Sequence, residues 1–318
     1  MRHGVAICAL ALFAVVATER AFAQIIVRHT WVASFGNDSS SFCDRIAPCR
    51  TFAGALPKTS YGGEIRCVDA ANYERVVIAT AVTIACADSQ GGIEFTSNAA
   101  IRITAGPDDD VVLRGLFLHK LTEYSSNGVE FISGRSLRIE NSVIQDGNPG
   151  YGILFNPSSG MPELYVSNSV IASNGDGTTG GGIQIQPTGS AGARVVIDGS
   201  QIVNNVVGIR ADANGTTGRI DMMVSGSVVS GSSYHGIVAL AAAGPVFASV
   251  AGTKVANNGV EGLRAVGANA RIRVGDSWVT GNGTGVAVAN GGKVQSYGDN
   301  RINNNTVDGF VPTIIDSK

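Results

Sequence analysis

Four polar residues, Glu130, Gln184, Arg210 and Arg264, each stand two positions after a glycine, and Asn156, Gln186 and Asp212 stand four positions after one. The first and third residues after those glycines, such as Val129/Phe131, Ile183/Ile185 and Ile209/Ala211, are all apolar. Alternation in an extended chain sends the apolar pairs to one side and the polar set to the other. The polar set therefore forms one outward face. Amides and guanidinium groups on such a face donate to sugar hydroxyls or uronate carboxylates, with Arg suited to planar bidentate contacts. The competing reading is a solvated sheet face on which Arg210 and Asp212 pair along one strand.

The glycines belong to a unit written eight times from about Val111 onward: a short apolar strand, Ser, Thr or Asn, a branched residue, a position often occupied by Asn, a variable gap, then Gly and an apolar residue. The branched positions Leu118, Ile144, Ile171, Ile202, Val229, Val255, Val279 and Ile302 are separated by steps of 23 to 31 residues, the period of a solenoid. Two- to three-residue alternations of Val and Ile broken by Gly, Asn and Ser exclude a helical solenoid, so each repeat is a coil of short strands. Coils stacked about 4.8 Å apart place Asn174, Asn205, Asn258, Asn282 and Asn305 in a ladder of amides. Gly147 and Ser232 occupy the same place in two other coils, where the ladder should be interrupted. Glycine at the corner suits a tight turn with positive φ and a close approach of the backbone. The expected architecture is all-β, a single-stranded solenoid of about ten coils with right-handed crossovers.

Residues 1–23 read as a secretory signal peptide, with a basic start, an apolar run from Val5 to Ala17 and Ala21-Phe22-Ala23 before the cleavage point. That run is too short to span a membrane. A secreted, periplasmic or cell-surface location follows. Residues 24–60 form an N-terminal segment ending in a capping helix with Phe52, Ala55 and Leu56 on one face, 61–310 the helix of coils, and 311–318 a C-terminal tail. Trp31 lies in a short edge strand. Cys8 leaves with the signal, and Cys43, Cys49, Cys67 and Cys86 remain, an even number that reads as disulfides in an exported protein. Of the three pairings, Cys43–Cys49 closes the segment before the cap and Cys67–Cys86 ties neighbouring early coils. A zinc site is disfavoured because there is no close Cys pair of zinc spacing.

Gly62-Gly63-Glu-Ile-Arg-Cys-Val, Tyr73-Glu-Arg-Val-Val-Ile78 and Ala81-Val-Thr-Ile84 read as three strands making the first coil. With the preceding helix they resemble the opening of the pectin-lyase-like superfamily of right-handed parallel β-helices. The resemblance covers roughly Phe52 to Phe310 and implies the fold, not the activity. Carbohydrate-active members lay substrate along an outward strand face, which implies a groove over Glu130, Asn156, Gln184, Gln186, Arg210, Asp212 and Arg264.

The enzyme motifs of those members are incomplete. Tyr234-His235-Gly236 supplies only His-Gly of a polygalacturonase-like pattern, with no Arg-Ile-Lys downstream, and His235 sits where a turn residue is the default. Glu130 and Asp212 lie three coils apart, about 14 Å, too far to share one calcium or to act as a hydrolytic carboxylate pair. Asp108-Asp109-Asp110 is an acidic run whose calcium-binding reading yields to a solvated turn, because three successive residues do not all point at one ion. No other cofactor is expected. Gly175 to Gly182 lacks the Lys-Ser/Thr of a phosphate loop and reads as an extended loop beside the groove. Asp198 and Asp276 are turn residues, and Trp278 shields the side of the stack.

The chain carries a net charge of −2, which becomes −3 without Arg2, Arg20 and Glu19. No basic stripe for nucleic acid is legible. The expected partner is a polysaccharide, and the expected function is a non-catalytic polysaccharide-binding or cell-surface structural protein. The alternatives are a lyase or glycoside hydrolase acting on an acidic polysaccharide, and an adhesin-like interaction protein.

Overall fold

The computed structural model describes residues 27–87, 91–121 and 127–316, so the leader expected over residues 1–23 lies outside the described residues. The strands form three parallel sheets that wind around one core: sheet 1 has twelve strands, sheet 2 nine and sheet 3 ten. Each complete turn contributes one strand to each sheet. The first complete turn comprises Val82–Ala85, Gly92–Phe95 and Ile101–Thr104, and the last comprises Lys293–Ser296, Arg301–Ile302 and Val307–Gly309. The nine strands of sheet 2 thus mark nine complete turns, with a partial turn before them from Thr59–Cys67 and Val76–Ile78. Thr313–Ile314, within the expected tail, adds a last short strand to sheet 1.

One detail of the first coil differs from expectation. Val82–Ala85 pairs in parallel with Thr59–Cys67 in sheet 1, so it opens the next turn instead of closing the first. Hydropathy alone does not distinguish a third side from a return to the first.

The core is built from in-register columns. In sheet 3, Ile101, Val129, Ile153, Ile183, Ile209, Ile237, Leu263 and Val286 stack coil upon coil and are fully or almost fully buried. Phe131 stacks on Phe155 with ring centroids 4.4 Å apart. Such a column removes each side chain from water at roughly 1.5–3 kcal/mol apiece.

Two polar ladders hold the corners. The asparagine ladder runs as expected: Asn174 Nδ2 donates to Asn205 Oδ1 at 3.0 Å, and Asn258, Asn282 and Asn305 form a second run with links of 2.9 Å. It is interrupted at Gly147 and Ser232, whose backbone N–H groups donate to the Oδ1 of Asn174 and Asn258. The Ser position forms a hydroxyl ladder, in which the N–H groups of Ser142, Ser169 and Ser200 donate to the Oγ of Ser169, Ser200 and Ser227. Buried turn amides are satisfied in this way without water.

Positive φ falls elsewhere than expected. Of the corner glycines Gly309 adopts it, as expected, but Gly128, Gly152, Gly182, Gly208, Gly236, Gly262 and Gly285 do not; the residues before the ladder positions do, among them Asn168, Gly199, Gly226, Asn204, Asn257 and Gly281. Asn tolerates that region through its short polar side chain. The corner glycines serve close approach: a Cβ on Gly208 would lie 2.6 Å from the Gly236 carbonyl oxygen.

The N-terminal end is closed by the helix Phe52–Ala55, capped by the Thr51 side chain, with Phe52 and Ala55 buried on the core. Val27–Val32 is the edge strand of sheet 1. Cys43 pairs with Cys49 and Cys67 with Cys86, each with Cα atoms 4.8 Å apart, as expected. No helix among the described residues is long and apolar enough to cross a membrane.

Candidate functional site

The outward row of sheet 3 follows the expected alternation. Glu130, Leu154, Gln184, Arg210, Val238 and Arg264 stand in register on successive coils. Packing divides the row into separate groups. Glu130 pairs with Arg102 at 3.3 Å and lines a depression of about 610 Å3 together with Arg75 and Asn127. Leu154 separates it from Gln184, Arg210 and Asp212, with Asn156 and Gln186 next to each other two positions further along than Leu154 and Gln184. Val238 then intervenes before Arg264 and is itself buried with Val206, Val207, Tyr234 and Leu240 in a small apolar cluster outside the main core.

The middle group is polar and dry. Gln184 is 1 % exposed and Asp212 6 %. Arg210 Nε lies 3.6 Å from Asp212 Oδ2, and Asp212 Oδ1 accepts from the Asn214 amide. Asn156 Oδ1, Gln184 Oε1 and Arg210 Nε are buried with no hydrogen-bond partner. Burial raises the Tyr151 pKa, with Arg210 and Asp212 acting on it in opposite senses. The phenol stays protonated.

Two residues outside the expected set complete this face. His235 Nδ1 contacts Glu261 Oε2, and Glu261 Oε1 accepts from Arg264 Nη1 at 2.5 Å. Both His235 and Glu261 stand immediately before a corner glycine, in the same column of adjacent coils. Burial, with Arg264 and Arg210 beside it, lowers the His235 pKa against the opposite pull of Glu261. Nδ1 of His235 and Oε2 of Glu261 touch each other, and both are buried without a hydrogen bond. An acid and a histidine at matching corner positions of consecutive repeats were the available signal; reading that position as a turn concealed it.

Sheet 1 carries a second feature, absent from the expected site. Its outer row places Glu163, Arg194, Asp221, Phe247 and Arg271 on successive coils, and a parallel row places Tyr165, Val196, Met223, Ser249 and Arg273 beside them. Apart from Glu163, these residues and Arg219 line a depression of about 510 Å3. Arg219 and Arg271 lie 4.5 and 5.4 Å from the centroid of Phe247, and Arg138 lies 4.4 Å from that of Tyr165. Arg219 pairs with Asp221 at 2.6 Å and Arg194 with Glu163 at 3.5 Å. Among the described residues, no carboxylate pairs with Arg271 or Arg273, and Arg271 Nε is buried with no hydrogen-bond partner. The depression thus holds an excess of positive charge over an apolar floor. Alternation applied to the strands before the Ser position would have found these residues.

Other polar motifs are absorbed locally. Asp109 Oδ2 accepts from the Gly106 amide, and Asp110 pairs with Arg135. Asp198 accepts from the Ser225 hydroxyl, and Asp276 adopts positive φ at its corner. Trp278 is half exposed on sheet 2 with Arg301 4.8 Å from its ring.

No protein-family model and no curated protein matches the chain. Among solved structures, pectate lyase Pel9A superposes with a TM-score of 0.62 at 16 % identity, over 86 % of this chain and 75 % of that one. At that identity the likeness concerns the path of the backbone and not the chemistry on its surface. The protein is a right-handed parallel β-helix of the pectin-lyase-like fold.

Proposed function

We propose that the protein is an exported, non-catalytic polysaccharide-binding protein whose sheet 1 depression takes an anionic glycan. One observation carries the reading: Arg271, buried at Nε without a partner, stands beside Arg219 and Arg273 over the apolar floor of Met223 and Phe247. A guanidinium in that state gains most from a carboxylate or sulfate, and the apolar floor suits the C–H face of a sugar ring. The fold shared with a pectate lyase and the two disulfides, which suit an oxidising compartment, support it. The test is a titration of the purified protein with polyuronate and sulfated oligosaccharides. Arg271→Ala should weaken binding by about tenfold or more, equivalent to roughly 1.5–3 kcal/mol for a charge-assisted contact, with the melting temperature unchanged. Equal affinity in the two proteins would remove the reading.

The enzymatic alternative, a lyase or hydrolase on an acidic polysaccharide, draws on His235, whose pKa burial lowers and whose ring contacts Glu261. Ultraviolet-absorbing unsaturated products, or new reducing ends lost in His235→Gln, would favour it over binding alone.

A further inference from the structure

Asn followed by Gly occurs six times in the chain, at Asn127, Asn174, Asn214, Asn258, Asn282 and Asn290. The pair is chemically labile, because a glycine N–H with no side chain beside it can attack the asparagine amide carbon. Local sequence gives all six pairs this lability. The attack also needs the glycine N–H and the asparagine amide to be free, and that is a matter of how the coils pack.

In the ladder both groups are engaged. Gly175, Gly259 and Gly283 donate their N–H groups to the carbonyls of Gly147, Ser232 and Asn258 in the preceding coil at 3.1, 2.8 and 3.0 Å, and the side chains of Asn174, Asn258 and Asn282 are fixed by their own bonds. Gly128 donates to the Tyr151 carbonyl at 2.9 Å, and Asn127 Oδ1 accepts from the Tyr151 amide. At Asn214 only the side chain is engaged, accepting from the Ala242 amide at 2.9 Å. At Asn290 and Gly291 both residues are exposed, and neither the amide side chain nor the glycine N–H has a hydrogen-bond partner among the described residues. These two residues, at φ 51° and 82°, form a turn closed by the Gly292 N–H donating to the Ala289 carbonyl at 3.0 Å. Swinging the Gly291 N–H onto the side chain requires that one exposed bond to open, whereas a ladder pair has to break bonds between coils.

We infer that Asn290 is a site of spontaneous conversion to aspartate and isoaspartate. The Gly291 nitrogen forms a bond to Cγ of Asn290 as the Cγ–Nδ2 bond breaks, and ammonia leaves with the proton that this nitrogen gives up. Water then opens the cyclic imide at one carbonyl or the other, leaving aspartate or isoaspartate, with no oxidation or reduction. The product puts a negative charge, and in isoaspartate a longer main chain, into the turn that leads to Lys293–Ser296, the strand beside Arg271 and Arg273.

Incubation of the purified protein at mildly alkaline pH, followed by peptide mapping for acidic and isoaspartyl products, tests it. In the folded protein Asn290 should convert about tenfold or more faster than Asn174, Asn258 and Asn282, with Asn214 between them. In denaturant all six pairs should convert at similar rates, which separates intrinsic lability from protection by the fold. Asn290→Gly, which accepts the positive φ, should melt as the wild type does and lose the earliest acidic form. Equal rates at Asn290 and the ladder pairs in the folded protein would overturn the inference. So would survival of the earliest acidic form in a natively melting Asn290→Gly.

Discussion

Asn258 and Gln184 carry the same amide group, and each is 1 % exposed, yet their surroundings differ completely. Asn258, beneath the corner, accepts from the Ser232 amide at 3.1 Å and donates to Asn282 at 2.9 Å and to the Val229 carbonyl at 3.3 Å. Gln184, on the outer side of sheet 3, has an amide oxygen with no partner. The first amide is a strut that finishes the backbone's own hydrogen bonding. The second is buried at a cost the fold does not offset, since an unmatched polar group loses about 1–3 kcal/mol of solvation. The contrast separates the part of the polar interior that builds the solenoid from the part that does not.

The largest effect should come from breaking the strut. Asn258→Leu orphans the Ser232 amide and removes the side-chain donor to Asn282, and should destabilise the protein by about 2 kcal/mol or more. Chemical denaturation reads it. A midpoint equal to wild type would show that the ladder decorates the corner without supporting it, and the contrast would collapse.

The opposite substitution should have the opposite sign. Gln184→Leu replaces an unmatched amide with a branched apolar side chain of similar size, next to Leu154, and should leave stability unchanged or raise it by about 1 kcal/mol. A loss comparable to that of Asn258→Leu would mean that Gln184 is also structural, and the comparison would have to be redrawn.

The smallest effect concerns pH. The folded protein holds His235 below its ordinary pKa, through burial and the neighbouring Arg264 and Arg210. Above the ordinary histidine range both folded and unfolded forms are neutral there, and this residue contributes no pH dependence. As pH falls through about 6.5 the unfolded chain takes up the proton first, so stability is lost from there down through the lower folded pKa. The melting temperature of the wild type should therefore fall more steeply on acidification below about pH 6.5 than that of His235→Gln. Parallel curves would show that His235 has the same pKa in the folded and unfolded chain, and a shallower fall in the wild type would show that the Glu261 contact outweighs burial.

Much of this was readable in the residues. The branched columns, the Asn ladder with its gaps at Gly147 and Ser232, the two disulfides and the outward parity of Gln184, Arg210 and Arg264 all follow from spacing. The corner glycines were assigned for a second reason that did not hold: close approach to the next coil, and not positive φ, excludes a side chain at Gly208. His235 was read as a turn residue and Glu261 was missed because a residue before a corner carries no parity, its direction being set by the turn.

The sequence by itself determined the coil, because a repeat that must bury one row per turn writes that row at a regular place in every copy. It also determined which residues of a strand face outward, since alternation is local. Only the tertiary structure decided which outward residues meet. Arg219, Phe247 and Arg271 come from three successive coils, and His235 and Glu261 are 26 residues apart. The variable gaps between repeats set how each loop lies over its sheet, and with it whether an outward polar group is wet, paired or buried and unmatched. That depends on packing between coils, which no single repeat encodes.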